Sequence, residues 1–521
     1  MSSLSDQLFQ EILLACQRVY TVSDVTPLEI MAAPEIPFQL FLKREDLGPI
    51  KAYKWRGAYN RMALLSEQER ARGVVTASAG NHAQGVALAA RRLGINARIF
   101  MPRPTPRVKR DAVRRFGGEY VEIVLHGDSY DAASEAAFTD ARVGGRAFVH
   151  PYDDLCVMGG QGTLAVEIAR AAKIPFDAAV LQIGGGGMAA GVACWLKRQY
   201  PGIRIFGVEG EDQACMGAAH AAGSPVLLEQ VDIFCDGTAV KKAGSLTFQL
   251  CEELVDEYVT VSNNEVCHAM QSIWDANRIV TETSGALGVA GALKLGQALR
   301  GQNVLSIISG ANIDFGMLGY ISRNTNIGGV SRRHLRVRIA ETPGSLLRLL
   351  ETVFEGCDIV EFQYGKTHPG EAQFIIGVAT DDAAMSALHR KLTENEIPWE
   401  DVTGQDDVRF RVIRYEDALL ANPVFLSLDF YERPGALHDF LKEHVAAHGN
   451  ICYFNYTYTG ERIGRALLGI EFADQLTRTR FIETLPVRGV GFRHCRLVTG
   501  PAETRLHRPC CGESTAVAAS L

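Results

Sequence analysis

The chain has 521 residues, 47% hydrophobic and 22% charged, with a formal net charge of -7. That length exceeds one ordinary core, and the composition is that of a globular protein rather than a disordered or fibrous one, so several domains are expected. The mild negative charge, with Lys and Arg scattered, speaks against nucleic acid as a partner, and no apolar run approaches the roughly 20 residues of a membrane span.

The N-terminus has no basic flank ahead of an apolar signal core, which points to a cytoplasmic protein. Twelve cysteines run from Cys16 to Cys511 without a C-x-x-C pair, so neither a zinc site nor a disulfide framework is expected, and no metal site is assigned. Cys510 and Cys511 fall in a tail rich in Pro, Gly, Ser and Ala, read as a frayed end.

From about Phe38 to Gly310 short apolar runs alternate with longer amphipathic ones, as in Gly73 to Thr76, Ala83 to Arg92 and Ala97 to Met101. This βαβ rhythm predicts a parallel sheet covered by helices on both faces, with ligands at the carboxyl ends of the strands. Within the first segments, Lys54 follows a turn and opens a predicted helix. A lysine taken alone is an ordinary surface charge. Next, Ser78-Ala79-Gly80-Asn81-His82 separates the apolar Val74-Val75 from a helical Ala/Leu pattern. Its backbone N–H groups can converge on a carboxylate, or the stretch can be a plain strand-to-helix turn with Ser as cap.

Gly184-Gly185-Gly186-Gly187-Met188 lies between the strand-like Ala178 to Ile183 and the helix-like Ala189 to Leu196. Four successive glycines lose much backbone entropy and need a reason, such as positive φ or a ligand close to the main chain. Phosphate is the natural ligand, and a nucleotide serves as well as any other carrier of it. The loop has no P-loop pattern and comes too late for a first-strand dinucleotide fingerprint. The apolar Ile307-Ile308 then ends on Ser309, which in isolation is a turn-former.

After Asn312 the polar stretch Ser322 to Arg333 reads as a linker. Beyond it E-T-P-G-S-L at 341–346 recurs as E-R-P-G-A-L at 432–437, and Ile359, Phe362 and Tyr364 recur as Ile451, Phe454 and Tyr456. Each copy reads strand, Pro-Gly turn, helix, strand, strand, helix, strand, a ferredoxin-like order. Pro343-Gly344 and Pro434-Gly435 either open a helix N-terminus to a small charged ligand or are ordinary turns.

In this order, the four elements resemble the fold-type II (tryptophan synthase β-like) pyridoxal-phosphate enzymes, and in particular the regulated threonine dehydratase family, from about Thr26 to Arg505. Further matches are H-P-Y-D-D and G-G-Q-G-T around Asp153 and Gln161, G-V-E at Glu209 and E-x-x-G-A at Glu282. The resemblance implies an α/β catalytic domain over 1–321, a linker at 322–333, α+β ACT-like regulatory domains at 334–415 and 424–498, and a flexible tail at 499–521. It implies that Lys54 forms the Schiff base with pyridoxal 5'-phosphate and that Asn81 contacts the ring 3'-oxygen. Gly184, Gly185, Gly186, Gly187 and Met188 would hold the phosphate and Ser309 would bond the pyridine nitrogen. Ser78, Ala79, Gly80, Asn81 and His82 would bind the substrate carboxylate.

The implied reaction is α,β-elimination of a hydroxy amino acid to a 2-keto acid and ammonia, with the freed Lys54 amine as base. Isoleucine as inhibitor, valine as antagonist and a homotetramer are implied as well. Rival chemistries rank lower. Serine racemases of this fold carry a second Ser where Ala79 stands, and use acidic cation ligands where Ala214 and Cys215 stand. Synthases that replace a β-substituent normally lack the tandem repeat, and a catalytically dead sensor would have lost Lys54. The chain departs from the family pattern at Ala52-Tyr53-Lys54-Trp55 (Ser-Phe-Lys-Leu elsewhere), Thr283-Ser284 (Pro-Ala) and Gly210 (Pro). These are neutral exchanges or marks of another β-substituted amino acid as substrate; one methyl, worth only ~1–3 kcal/mol in a pocket, separates threonine from serine.

Overall fold

The computed structural model describes residues 3–324, 331–340, 345–355, 357–366, 371–380, 382–403, 405, 422–431, 450–456, 463–485, 492–498 and 508–509. The chain divides into two compact units, 1–314 and 315–521.

In the first unit the strands are β1 (Leu28–Ile30), β2 (Gln39–Arg44), β3 (Val74–Ala77), β4 (Ala97–Met101), β5 (Val121–Leu125), β6 (Ala147–Phe148), β7 (Ala178–Gln182), β8 (Arg204–Gly210), β9 (Glu257–Val261) and β10 (Asn303–Ile308). They form two sheets, in the orders β1-β2-β10-β7-β8-β9 and β5-β4-β3-β6. Every pairing is parallel except that of β1 with β2. The expected βαβ architecture is therefore present, but as two sheets where the rhythm predicts one. Periodicity reports that a strand is buried, not which sheet it joins. β3 and β7 are buried at every position, which is why they read as continuous apolar runs rather than alternating ones.

The N-terminal helix Leu4–Val19 starts on a capping box made by Ser3 and Asp6 and buries Leu8, Ile12, Ala15 and Val19, the spacing of one helical face. Leu8 and Ile12 join the core of the larger sheet beside Met158, Leu164 and Ile168 of helix Leu155–Ala171.

A closed group of buried charges fixes β2 to the two helices next to it. The Arg56 guanidinium donates to Glu45 at 2.8 and 2.9 Å and to Glu167 at 2.5 Å, while Lys43 Nζ donates to Glu167 at 2.5 Å and to the Thr26 carbonyl at 2.6 Å. All four charged side chains are at most 1% exposed, and two cations balance two carboxylates. Removing one member strands the others, because a buried charge without its partner keeps its full desolvation cost. Glu167→Ala is expected to destabilise this unit by about 3–5 kcal/mol in urea unfolding; a loss under about 1 kcal/mol, the scale of an exposed pair, would show that water reaches the group.

In the second unit the strands are β11 (Ser331–Ala340), β12 (Asp358–Lys366), β13 (Glu371–Thr380), β14 (Trp399–Asp401), β15 (Val424–Tyr431), β16 (Asn450–Tyr456), β17 (Ile463–Glu471), β18 (Phe492–Val498) and β19 (Arg508–Pro509). The sheets run β12-β13-β11-β14 and β16-β17-β15-β18-β19. Both therefore place the second, third, first and fourth strands of a copy side by side, all antiparallel, which is the ferredoxin-like order. The duplication extends to register. Ile359, Phe362 and Tyr364 pair with Val378, Ile376 and Phe374, and Ile451, Phe454 and Tyr456 pair with Ile470, Leu468 and Ala466. Each edge strand also breaks register just after its Ile.

Two boundaries differ from the sequence reading. The expected linker at 322–333 is shorter, since helix Phe315–Asn324 enters it and β11 begins at Ser331; polar, Gly-containing composition overstated the loop. In the expected tail, Arg508–Pro509 pair with β18. Pro343-Gly344, Pro434-Gly435 and Cys510-Cys511 lie outside the described residues. Among those described, no helix is long and apolar enough to cross a membrane.

Candidate active site

The site is built where β2 and β10, parallel neighbours, both end. The loop after β2 folds back on β10 through main-chain bonds: Tyr53 N–H donates to the Ser309 carbonyl at 3.0 Å and Ala311 N–H to the Lys51 carbonyl at 2.8 Å. Ala52 bridges Gly310 between them. To make this turn Lys51 adopts φ 58, a left-handed conformation that costs an L-residue about 1–2 kcal/mol and is held by the surrounding bonds. Lys51 is exposed. Lys54, by contrast, points inward, its Nζ donating to the Pro151 carbonyl at 2.9 Å. Removal from water pulls its amine down to about 8, and the charge of Glu282 offsets only part of this.

Helix Asn81–Leu93 rests directly on this turn. A Cβ on Gly85 would lie 3.0 Å from the Lys54 carbonyl oxygen and from Trp55 Cα, so any larger residue would press the turn away. The signal was a lone Gly inside a helical Ala/Leu pattern. Close packing here carries the loop 78–82 to Lys54. In that loop Ser78 Oγ accepts the Gly80 N–H at 3.2 Å, so its hydroxyl serves the turn. A Cβ on Gly80 would meet nothing within 4 Å, and the helix that begins at Asn81 has 13 residues. Open space before first-turn N–H groups is the setting for a bound anion. The His82 side chain does not face that space. It is buried, with Nε2 3.0 Å from the Val149 carbonyl. Burial and then the charge of Lys54 hold it down to about 3, so it stays neutral. His82 can add only its main chain to the loop.

Asn81 is held from two sides. Its Nδ2 donates to Glu282 Oε1 at 2.8 Å and its Oδ1 accepts from Asn312 Nδ2 at 2.7 Å. Glu282 is buried, and burial followed by the charge of Asp236 pushes its carboxyl up to about 7. The sequence reading assigned neither Glu282 nor Asn312 to the site.

The glycine loop follows β7 and starts helix Gly187–Gln199, with Gly186 at φ 91. A Cβ would come within 2.9 Å of Thr238 at Gly184, 2.3 Å of the Tyr152 ring at Gly185, 2.5 Å of Met216 at Gly186 and 2.9 Å of the Tyr152 carbonyl at Gly187. The cradle thus admits bare main chain only, ahead of a 13-residue helix, and a phosphate fits it. Met188 differs from the expectation in one respect. Its side chain is buried in the core with Ala189 and Val192, so only its backbone belongs to the loop.

The secondary motifs turn out to be supports. Asp153 accepts the N–H groups of Ser245, Leu246 and Thr247 at 2.9, 2.8 and 3.1 Å, capping helix Ser245–Leu254. Gln161 Oε1 accepts the Gly57 N–H at 3.3 Å where two helices cross. Glu209, at the end of β8, accepts the Met216 and Gly217 N–H groups, both at 2.8 Å, and burial pushes it up to about 7. Among the described residues no three His, Cys, Asp or Glu side chains are grouped to hold a metal. Four of the departures from the family pattern have partners inside the fold. Ala52 and Trp55 fill a core patch with Val19 and Ile50. Thr283 Oγ1 donates to the Phe234 carbonyl at 2.8 Å, and Ser284 Oγ lies 3.3 Å from Thr238 Oγ1.

A lysine amine held near neutrality, a glycine cradle and a strand-end serine, gathered at the carboxyl ends of parallel strands, define an enzyme that uses a phosphate-bearing aldehyde cofactor. Residues 21–310 match the family model of the pyridoxal-phosphate dependent enzymes, and 325–412 and 418–496 each match the C-terminal regulatory domain of threonine dehydratase. The biosynthetic L-threonine dehydratase of Haemophilus influenzae is 40% identical over 462 residues, covering 87% of this chain and 89% of that protein. That of Escherichia coli K12 is 37% identical over 465 residues, 88% and 89% of the two chains. Among solved structures, the processed form of threonine deaminase isoform 2 from Solanum lycopersicum superposes with a TM-score of 0.58 at 41% identity, over 61% of this chain and 93% of that one. Maize serine racemase gives 0.56 at 30% identity, over 59% and 94%. The chain belongs to the threonine dehydratase family of pyridoxal-phosphate-dependent lyases.

Proposed function

We propose that the chain removes water across the α- and β-carbons of L-threonine, the freed enamine then taking up water to give 2-oxobutanoate and ammonia, and likewise converts L-serine to pyruvate and ammonia, as the first committed step of isoleucine biosynthesis. The observation that carries this reading is the stitching of the Lys54 turn to the strand end that bears Ser309, beneath the Gly80-Asn81 anion loop. When bound, pyridoxal phosphate supplies the electron sink that acidifies the substrate α-carbon. The main chain of Gly184 to Gly187, with the Met188 N–H, would hold its phosphate, Ser309 would face its ring nitrogen and Asn81 its 3'-oxygen.

The residues then act as follows. Lys54 anchors the cofactor and, once displaced by the substrate amine, removes the α-proton as a neutral base. Of the stretch 78–82, the Ser78 N–H goes to the Phe100 carbonyl and the Gly80 N–H to Ser78 Oγ, and the N–H groups of Ala79, Asn81 and His82 orient the substrate carboxylate. Ala79 offers no proton donor on the opposite face, which favours elimination over racemisation. Ser309, being neutral, bonds the ring nitrogen without forcing a proton onto it, and this favours loss of a β-substituent over transamination. The core places of Ala52 and Trp55 and the hydrogen bonds of Thr283 and Ser284 with Phe234 and Thr238 support an unchanged substrate class.

The second unit supports regulation, since both copies are ferredoxin-like and match a regulatory family. Isoleucine as inhibitor, valine as antagonist, a homotetramer and a cytoplasmic place of work belong to the same proposal.

A panel of threonine, serine and other β-substituted amino acids, read as keto-acid and ammonia release, tests the reading. Threonine is expected to lead, and absence of keto acid from both threonine and serine defeats it. For Ser309→Asp, slower elimination with transamination by-products is expected. An unchanged product ratio would show that Ser309 does not meet the ring nitrogen.

A further inference from the structure

The Asn81 amide has one carbonyl oxygen and one NH2 group of nearly the same shape, so its neighbours decide which end faces which way. Those neighbours are ordered by an anchor outside the site. The Ile50 carbonyl accepts from Asn312 Nδ2 at 2.9 Å. A carbonyl can only accept, so Asn312 must turn its NH2 toward Ile50, and its second N–H then meets Asn81 Oδ1 at 2.7 Å. With its oxygen engaged, Asn81 offers Nδ2 to Glu282 Oε1 at 2.8 Å. Glu282 Oε2 closes the circuit by accepting the Asn312 main-chain N–H at 3.2 Å.

Gly310 makes room for this. A Cβ there would stand 2.6 Å from Glu282 Oε1, while the Gly310 carbonyl accepts the Glu282 N–H at 3.0 Å. The carboxylate, which accepts from both Asn81 and Asn312, is thus seated by the same strand end that presents Ser309. One amide N–H of Asn81 is left over, and a donor is what an anionic oxygen needs.

We infer that Glu282 and Asn312 are positioning residues that lock the Asn81 amide with a donor, never an acceptor, for the ligand it meets. The inference rests on the cofactor site proposed above. Burial and Asp236 hold the Glu282 carboxyl near 7, so its ionised form depends on these donors. Neither residue touches the reacting atoms; Asn312 acts through Asn81, and Glu282 acts through Asn81 on the cofactor besides lending its charge to the Lys54 amine, so the part of their effect that the amide carries into cofactor binding must vanish when Asn81 is gone.

The test titrates pyridoxal 5'-phosphate into the full-length cofactor-free chain and reads the dissociation constant and visible band of the bound cofactor, with kcat and KM for threonine alongside. Glu282→Gln keeps the shape but adds a donor, which removes the acceptor-only partner of Asn81 Nδ2 and leaves the amide held from the Asn312 side alone. About tenfold weaker cofactor binding, the worth of one hydrogen bond to a charged group, and a displaced band are expected. In an Asn81→Ala background the same change should shift binding by less than about twofold. Should Glu282→Gln not fold, Asn312→Asp sets an acceptor against Asn81 Oδ1 and is expected to show the same displaced band.

A wild-type band and affinity in Glu282→Gln, or an equal loss in the Asn81→Ala background, overturns the inference while the proposed function stands. A wild-type chain that takes up no cofactor overturns both.

Discussion

Replacing Lys54 by alanine is expected to lower threonine turnover by at least about 10⁴-fold, the combined loss of a covalent anchor and a positioned base. The visible band of the anchored cofactor should vanish, while the glycine cradle still holds the cofactor loosely. An ordinary lysine titrates near 10.5, and pulling this one down to about 8 raises its neutral fraction near neutrality by roughly 300-fold. The site thus makes a base of a group that water would keep protonated. Between about pH 8 and 10.5 the folded, cofactor-free chain binds fewer protons at Lys54 than the unfolded chain does. Its stability should therefore rise with pH across that window relative to Lys54→Ala, and fall back as pH drops toward 8. Retention of the visible band in the variant would mean that another lysine is the anchor. Lys51 is a poor substitute, since it is exposed and its carbonyl is spent on Ala311.

In the intact chain isoleucine is expected to weaken apparent threonine affinity by roughly 5-fold to 150-fold, the usual range of a coupling energy between sites. Valine should reverse the effect. A chain ending at Asn324 should keep elimination and lose both responses. Every candidate catalytic group lies before residue 313, and an effector acts only through a difference in affinity between two states. Sedimentation of the shortened chain would separate loss of regulation from loss of assembly. Equal, flat responses to isoleucine in the intact and shortened chains would make the tandem repeat structural and sink the allosteric reading.

Much of this was legible in the sequence. Buried parallel strands read as apolar runs, four successive glycines marked a loop that admits bare main chain only, and the recurrence at 359–364 and 451–456 foretold two sheets of the same strand order. These features are local, because strand burial, turn chemistry and repeat spacing are written in neighbouring residues.

Other features were settled only when the chain closed on itself. The turn before Lys54 is set by bonds of Tyr53 and Lys51 to Ser309 and Ala311 at the far end of the unit, and Asn81 meets partners 201 and 231 positions away. The charges at 43, 45, 56 and 167 balance only as a group. His82 and Met188 stand inside the loops the sequence singled out, yet their side chains are buried away from them. The physical reason is common to all of these. A buried polar group must find a partner of matching charge or hydrogen-bonding sense wherever the fold places one, and no local pattern records which distant residue that is.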